Sequence, residues 1–450
     1  MLTRLKNVDT IVSCDRFDTV YRHTDLWFEN GEIVKIGSFN GLPDVEYDCS
    51  GMIVYPGLIN VHHHLYQYFT RNLKSVQDYE LFDWLKALYG VWKNLNEKTV
   101  LLSSLAGMTE LMRYGCTTCF DHHYVFPKSA GDLLAAQFEA AGILGIRMHA
   151  SRGSMDLSEK DGGLPPDSVV QTIDEILKDS ENAIHFYHDP NRLSMRRVVL
   201  APCSPFSASA ELYRDSALLA RKHGVQLHTH LCETKDEENY TLSAFGKRPF
   251  AYLASLGWTG PDVFYAHGIH FNEAELDSIA SSGTKIAHCP VSNMKLSSGV
   301  MRLPDMLDRG IAVGLAVDGS ASNDGSNLMD EMRVAYLVHR LKWGKRAPSG
   351  YEILKLATAG SAAVLGRDDI GSIEESKAAD VFAIRKDTSD LLCAADDPMD
   401  LFGNVGYHRP CDLVFVNGKL TVLDGVSVNV DENEIRRNAQ IELKRLLSSI

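Results

Sequence analysis

Residues 209–230 read SAELYRDSALLARKHGVQLHTH. An amphipathic stretch runs up to Gly224, where a helix can stop, and a short apolar run follows that ends in His228 and His230. Helix, glycine and strand recur along the middle of the chain. Leu101, Leu105, Met108 and Met112 share one helix face ahead of Gly115 and the run CTTCFDHH. NEAELDSIASSG opens on Asn272 as an N-cap and closes at Gly283 before TKIAHCP, and DMLDRG closes at Gly310 before IAVGLAVDG. Strands that alternate with helices pair in parallel. The strands are MIVYPGLINVH, TTCFDH, IRMHAS, RVVLAP, VQLHTH, VFYAHG, KIAHCP and AVGLAVD. Eight such strands close a (β/α)8 barrel, and the chemistry of that barrel sits at the C-terminal strand ends. The expected fold class is therefore α/β, a TIM-type barrel.

The two ends of the chain read differently. TDLWFENGEIVKIG turns on Asn30-Gly31, and DLVFVNGKLTVLDG turns on Asn417-Gly418, both strong hairpin signals; ADVFAIR is a further strand. The expectation is a composite β-sandwich domain of residues 1–54 plus 370–450 around a barrel of residues 55–369.

Composition narrows the function classes. The chain has 450 residues, 45% of them hydrophobic and 23% charged, an ordinary globular balance. A net charge of -14 repels polyanions, so no nucleic-acid partner is expected. No apolar run has membrane-spanning length, and MLTRLKNVDTIVSC lacks the basic-then-apolar pattern of a secretory signal. Nine scattered cysteines, an odd number, point to a reducing, cytoplasmic setting without a disulfide framework. The Cys116/Cys119 pair falls at the start of a buried strand and reads as core.

Nearly every barrel strand ends in a metal-ligating residue type. Alternate residues of a strand face the same way, so His62 and His64 form a pair and His63 points away. His228 and His230 share a face, Glu233 follows, and His267 and Asp318 end the sixth and eighth strands. Imidazole and carboxylate groups gathered in one barrel mouth suit a divalent metal with a position open for water, hence metal-assisted hydrolysis.

PGLINVHHH, HTHLCE, AHGIHF, HCPVSNMKL and VDGSASND together resemble the deaminase branch of the amidohydrolase superfamily, nearly end to end. That resemblance implies one zinc per chain held by His62, His64, His230 and Asp318. It implies Glu233 and His267 as catalytic groups, with Asp318 also taking a proton, and leaves His228 outside the ligand set. The run VVLAPCS carries no lysine for a bridged two-metal site. NVHHHLYQ, DWLKALYGVW, CTTCFDHHYVFP, SRGSM, GGLPP and LAPCSPFS are most similar to members acting on 8-oxoguanine and isoxanthopterin, and some of these runs are also similar to triazine hydrolases. The implied reaction is deamination of 8-oxoguanine to urate; isoxanthopterin, guanine and s-triazines are the alternatives. A non-catalytic barrel acting as an assembly partner would have lost ligands, and none is lost here. The partners expected are a small heterocyclic substrate and further copies of the chain, with no membrane.

The pocket candidates each keep a bland alternative. Gln67 could read a purine edge or pack a loop. Cys203 lies where guanine deaminases resemble one another in carrying an arginine; it either shapes the pocket or is simply buried. Trp84, with Tyr89 and Trp92, could cap the mouth or pack on the barrel. His122 and His123 end the second strand, and one of them could face the pocket.

Overall fold

The computed structural model describes residues 1–448. Eight parallel strands, Leu58–Asn60, Cys116–Asp121, Arg147–Ser154, Arg196–Pro202, Gln226–Leu231, Val263–His267, Lys285–His288 and Val313–Leu315, each pair with their neighbours in chain order. The ring closes between the first and the eighth. Val61 N donates to Leu315 O at 3.4 Å, Val317 N donates to Asn60 Oδ1 at 2.9 Å, and Asp318 N donates to His62 O at 3.1 Å. Just beyond, His63–His64 pairs in parallel with Asp318–Gly319. Closing the barrel thus carries the first strand's histidines to the eighth strand's aspartate.

The expected first strand, MIVYPGLINVH, is two strands. Met52–Pro56 belongs to the terminal sheet and only Leu58–Asn60 to the barrel. Gly57 joins them. A Cβ there would lie 2.1 Å from Thr117 Oγ1, so only glycine lets the chain pass between the sheets at this point. The apolar run is continuous because both halves are buried, and periodicity cannot divide it.

Local signals set the connecting helices. In Ala210–His223, Ser209 Oγ accepts from Leu212 N at 3.1 Å at the start, and Gly224 takes φ 66° at the end. Glu273–Ser282 begins with a reciprocal cap: Asn272 Oδ1 accepts from Glu275 N at 2.9 Å and Glu275 Oε2 accepts from Asn272 N at 2.8 Å.

Strands from both ends of the chain make one nine-stranded sheet, outside the barrel. Its hairpin residues Asn30, Gly31, Asn417 and Gly418 all have positive φ, as a two-residue I′ turn requires. Phe28 and Phe415 sit four strands apart in the hydrogen-bonded order, which would separate them by about 19 Å in a flat sheet. Their ring centroids are 5.2 Å apart. The sheet therefore curls over on itself and encloses a core that includes Leu5, Ile11, Leu26, Val54, Val381 and Leu413. Within the expected C-terminal β segment, Glu432–Leu447 is a helix docked on the barrel helix Glu97–Arg113, where Thr99 Oγ1 donates to Glu442 Oε1 at 2.7 Å. Among the described residues no helix is long and apolar enough to cross a membrane.

Candidate metal centre and substrate cavity

His62, His64, His230, His267 and Asp318 meet at the C-terminal mouth of the barrel, where His62, His64, His267 and Asp318 are buried and His230 nearly so. One ligand atom from each of His62, His64, His122 and His230 lies within 4.8 Å of the others, and so do those of His62, His267 and Asp318. His62 Nε2 and His64 Nε2 stand 3.4 and 3.3 Å from Asp318 Oδ1, and His64 Nε2 stands 3.2 Å from His230 Nε2. A tetrahedral ion with bonds of about 2.0–2.1 Å needs ligand atoms about 3.3 Å apart. The three separations match that edge length.

Hydrogen bonds on the far side of each ring fix the tautomers. His64 Nδ1 donates to His122 O and His230 Nδ1 to Cys203 O, both at 2.6 Å. His228 Nδ1 donates to Phe264 O at 3.0 Å, so its Nε2 accepts, and His62 Nδ1 donates to it at 2.9 Å. All three Nε2 atoms then offer lone pairs to the centre. His62 Nε2 is buried with no hydrogen-bond partner, an orphan that a metal ion satisfies. Burial, then neighbouring imidazoles, holds His64 and His230 well below the ordinary histidine range, which keeps them neutral. Burial alone would raise Asp318, but His62, then His267 and His64, override it and hold the carboxylate ionised. Three imidazoles and one carboxylate form a donor set that fits a single divalent metal of the zinc type. His63 turns away, as its position in the strand predicts: its Nδ1 accepts from His64 N at 2.8 Å and its Nε2 lies 3.0 Å from Ser326 Oγ.

Glu233 and His267 face each other at 3.5 Å between Oε2 and Nε2. Burial first, then the charges of Asp318 and Glu237, pushes Glu233 well above the usual carboxyl range, so it carries a proton. Ser298 Oγ donates to its other oxygen at 3.3 Å. The turn that aims Glu233 is held by Glu237, whose carboxylate accepts from Cys232 N at 2.9 Å and Glu233 N at 2.8 Å. Asn293 Nδ2 donates to His267 Nδ1 at 3.0 Å, leaving the His267 hydrogen on Nε2, and burial lowers that ring to about 4. Cys232, His267 and Asp318 have φ of 53°, 71° and 63°. Left-handed backbone at non-glycine residues costs about 1–3 kcal/mol each and gathers at functional sites.

A narrow cavity opens onto these groups, lined also by Gln67, Trp84, Cys203, Tyr124, Phe206 and Leu296. Both polar atoms of the Gln67 amide are buried without partners. A Cβ on Gly319 would lie 1.9 Å from Gln67 Oε1, so the glycine makes room for the amide. Trp84 lines the cavity together with Leu81 and Leu85 of the helix Leu81–Trp92. Tyr89 and Trp92 do not line it; the Trp92 indole donates to Thr70 Oγ1 at 3.2 Å instead. Neither His122 nor His123 lines it either. His122 Nε2 donates to Ala201 O at 3.0 Å and its ring stacks on His230, and His123 Nε2 donates to Val125 O at 2.9 Å. Leu81, Phe206 and Leu296 were not foreseen. Leu81 lies three residues before Trp84 on one helix, a usable signal; Phe206 and Leu296 lie off the strands and carry none. Asn293 lies inside HCPVSNMKL, a run whose pattern gives it no role of its own.

Residues 53–421 match the amidohydrolase family. The 8-oxoguanine deaminase of Pseudomonas aeruginosa is 42% identical over 410 residues, covering 90% of this chain and 91% of that one. Hydroxydechloroatrazine ethylaminohydrolase of Pseudomonas sp. (strain ADP) is 37% identical over 459 residues, covering 97% and 94%. The crystal structure of atrazine chlorohydrolase TrzN from Arthrobacter aurescens TC1 complexed with zinc superposes with a TM-score of 0.94 at 31% identity, covering 98% of this chain and 100% of that one.

Proposed function

The chain belongs to the amidohydrolase family, and on that premise we propose that it is a zinc-dependent deaminase of a free oxidised purine, converting 8-oxoguanine and water to urate and ammonia. The ligands in this reading are His62, His64, His230 and Asp318. Zinc held there would supply a Lewis acid and a water of near-neutral pKa. The chain's own groups do the rest. Glu233, protonated by its burial, donates to a ring nitrogen and makes the adjoining amino-bearing carbon electrophilic. His267 Nε2–H points at the same space and steadies the oxygen added at that carbon. Asp318, ionised, takes the proton released by the attacking water. Asp318 passes that proton to the amino nitrogen as the C–N bond breaks and ammonia leaves, and the added hydroxyl returns a proton to Glu233 as the ring carbonyl forms.

The observation that carries the substrate reading is the cavity wall. Gln67 offers an unpaired donor and acceptor beside the apolar faces of Trp84, Phe206 and Leu296, and no lysine or arginine is among the lining residues described. Burial pushes the Cys203 thiol up to about 12, so it too lines the cavity uncharged. Such a wall suits a flat neutral base with an edge of donors and acceptors, and offers nothing to a phosphate or a carboxylate tail. The likeness to triazine-processing enzymes supports a second reading, loss of an alkylamine from a hydroxylated s-triazine; the same groups would cleave that C–N bond.

A substrate panel tests both. Zinc-loaded protein is given 8-oxoguanine, isoxanthopterin, guanine and an N-ethylamino hydroxytriazine, with ammonia and ethylamine measured. The expected result is the highest kcat/KM on 8-oxoguanine. Release of neither amine from any of the four would end the aminohydrolase reading.

A further inference from the structure

At the opposite end of the barrel lies a second cavity of about 170 Å³, several times what one water needs. His149 comes from the third strand and Arg197 from the start of the fourth. Gln226 opens the fifth, and His188 follows the helix Ile173–Tyr187. Six residues of strand separate Arg197 from Cys203, about 20 Å, so this cavity is remote from the metal centre. No acidic side chain is among the described residues that line it.

What lines it is a set of donors. Arg367 Nη1 donates to His149 Nε2 at 3.3 Å, which places the His149 hydrogen on Nδ1. That Nδ1 has no partner, but it is fully buried with no surface open to the cavity, so it lies behind the wall. Val198 N donates to His188 Nδ1 at 3.1 Å, which places the His188 hydrogen on Nε2. The Arg197 guanidinium makes only long contacts, to Ser194 Oγ and Pro190 O, each at 3.4 Å, and among the described residues no carboxylate lies within 4 Å of it.

The two neighbouring arginines are already matched. Arg147 pairs with Asp380 at 3.0 Å and Arg367 with Asp369 at 2.7 Å. Asp189 accepts from Asn191 N and Nδ2. Arg197 is left as a half-buried cation whose pKa is pulled down by burial and then by the Arg367 and Arg147 charges, with Asp369 and Asp189 opposing from longer range. Water could accept from these donors but would not offset the charge; an anion does both, through stronger charge-assisted bonds.

We propose that this cavity is a binding site for a small oxyanion of the phosphate or carboxylate class, held by Arg197 and His188 Nε2–H. Binding there stabilises the folded barrel by mass action and leaves the catalytic groups untouched.

The test uses the full-length, zinc-loaded protein. Inorganic phosphate, and separately acetate, is titrated at constant ionic strength set with sodium chloride, and Tm is followed. The expected result is a saturable rise of about 2 °C with at least one of the two anions. Arg197→Gln loses that rise while retaining its circular dichroism spectrum and its turnover. His188→Leu, at the half-buried edge of the cavity, weakens the anion about tenfold and serves should Arg197→Gln fail to fold. No saturable rise with either anion overturns the proposal. So does an equal, unsaturating rise in wild type and variant, which is the general effect of excluded salts.

Discussion

Replacing His228 by phenylalanine tests whether hydrogen bonding behind the metal centre governs what the centre holds. His228 touches neither the substrate cavity nor Asp318. It accepts from His62 Nδ1–H at 2.9 Å and donates to Phe264 O at 3.0 Å. Its ring packs on Phe264 and Phe120 with centroids 4.3 and 4.8 Å away, so a phenyl ring keeps the packing and removes only the relay. Without the acceptor, His62 either buries an unpaired N–H, at about 1–3 kcal/mol, or moves its hydrogen to Nε2 and loses the lone pair that faces the centre. Both outcomes weaken the metal. Loss of an outer partner of this kind lowers metal affinity about 10–100-fold, equivalent to about 1.4–2.7 kcal/mol. Competition with a chromophoric chelator measures the zinc dissociation constant, and a melt of the zinc-loaded protein checks the fold. His228→Gln can accept from His62 and donate to Phe264, and is expected to recover most of the affinity. A phenylalanine variant that binds zinc within about twofold of wild type, or a glutamine variant no better than phenylalanine, would refute the relay.

Three further outcomes follow from the same geometry. Glu233→Gln keeps zinc at one per chain and lowers kcat about 10²–10⁴-fold, because the proton donor is gone while the residue's size is not; steady-state ammonia release and metal analysis read the two effects separately. Gly319→Ala puts a methyl group 1.9 Å from Gln67 Oε1 and 3.1 Å from His64 Cδ2, so KM is expected to rise about tenfold with a smaller change in kcat, and an unchanged KM would remove Gln67 from substrate recognition. Asp121 is pushed up to about 7 by burial, against the bonds it accepts from Leu65 N and Gln137. Its folded pKa lies above its unfolded one, so its contribution to stability is full below about pH 4 and is lost as pH rises to about 7, by about 1.4 kcal/mol per unit. In Asp121→Asn that loss is absent. Urea unfolding should therefore show the variant gaining about 3 kcal/mol on wild type between pH 5 and pH 8, and a constant gap would contradict the shift.

The barrel and the histidine- and aspartate-bearing strand ends that meet at its mouth were readable because both rest on periodicity. A strand shows alternate residues to one side, so HHH and HTH name their inward members by spacing alone, and Gly224 and Gly283 mark helix ends through backbone freedom alone. What escaped the sequence depends on contacts between distant segments. MIVYPGLINVH reads as one strand because both halves are apolar; only Thr117, across the sheet, makes Gly57 a crossing point. The resemblance leaves His228 outside the ligand set, but which partners it meets is invisible without His62 and Phe264 on either side of it. Trp84, Tyr89 and Trp92 share one helix and one character, yet only Trp84 meets the cavity, because helix rotation relative to the mouth is set by packing and not by residue type. The C-terminal helix did carry a local signal, Asp431 as a cap followed by Ile435, Ala439 and Leu443 at four-residue spacing, hidden behind the β-rich run that precedes it. Patterns of period 2 and 3.6 therefore report which way a side chain points within its own element. Whether it finds a metal, a cavity or another side chain is decided by the element opposite, and at this site that element is the far edge of the closing barrel, where His62 and His64 meet Asp318.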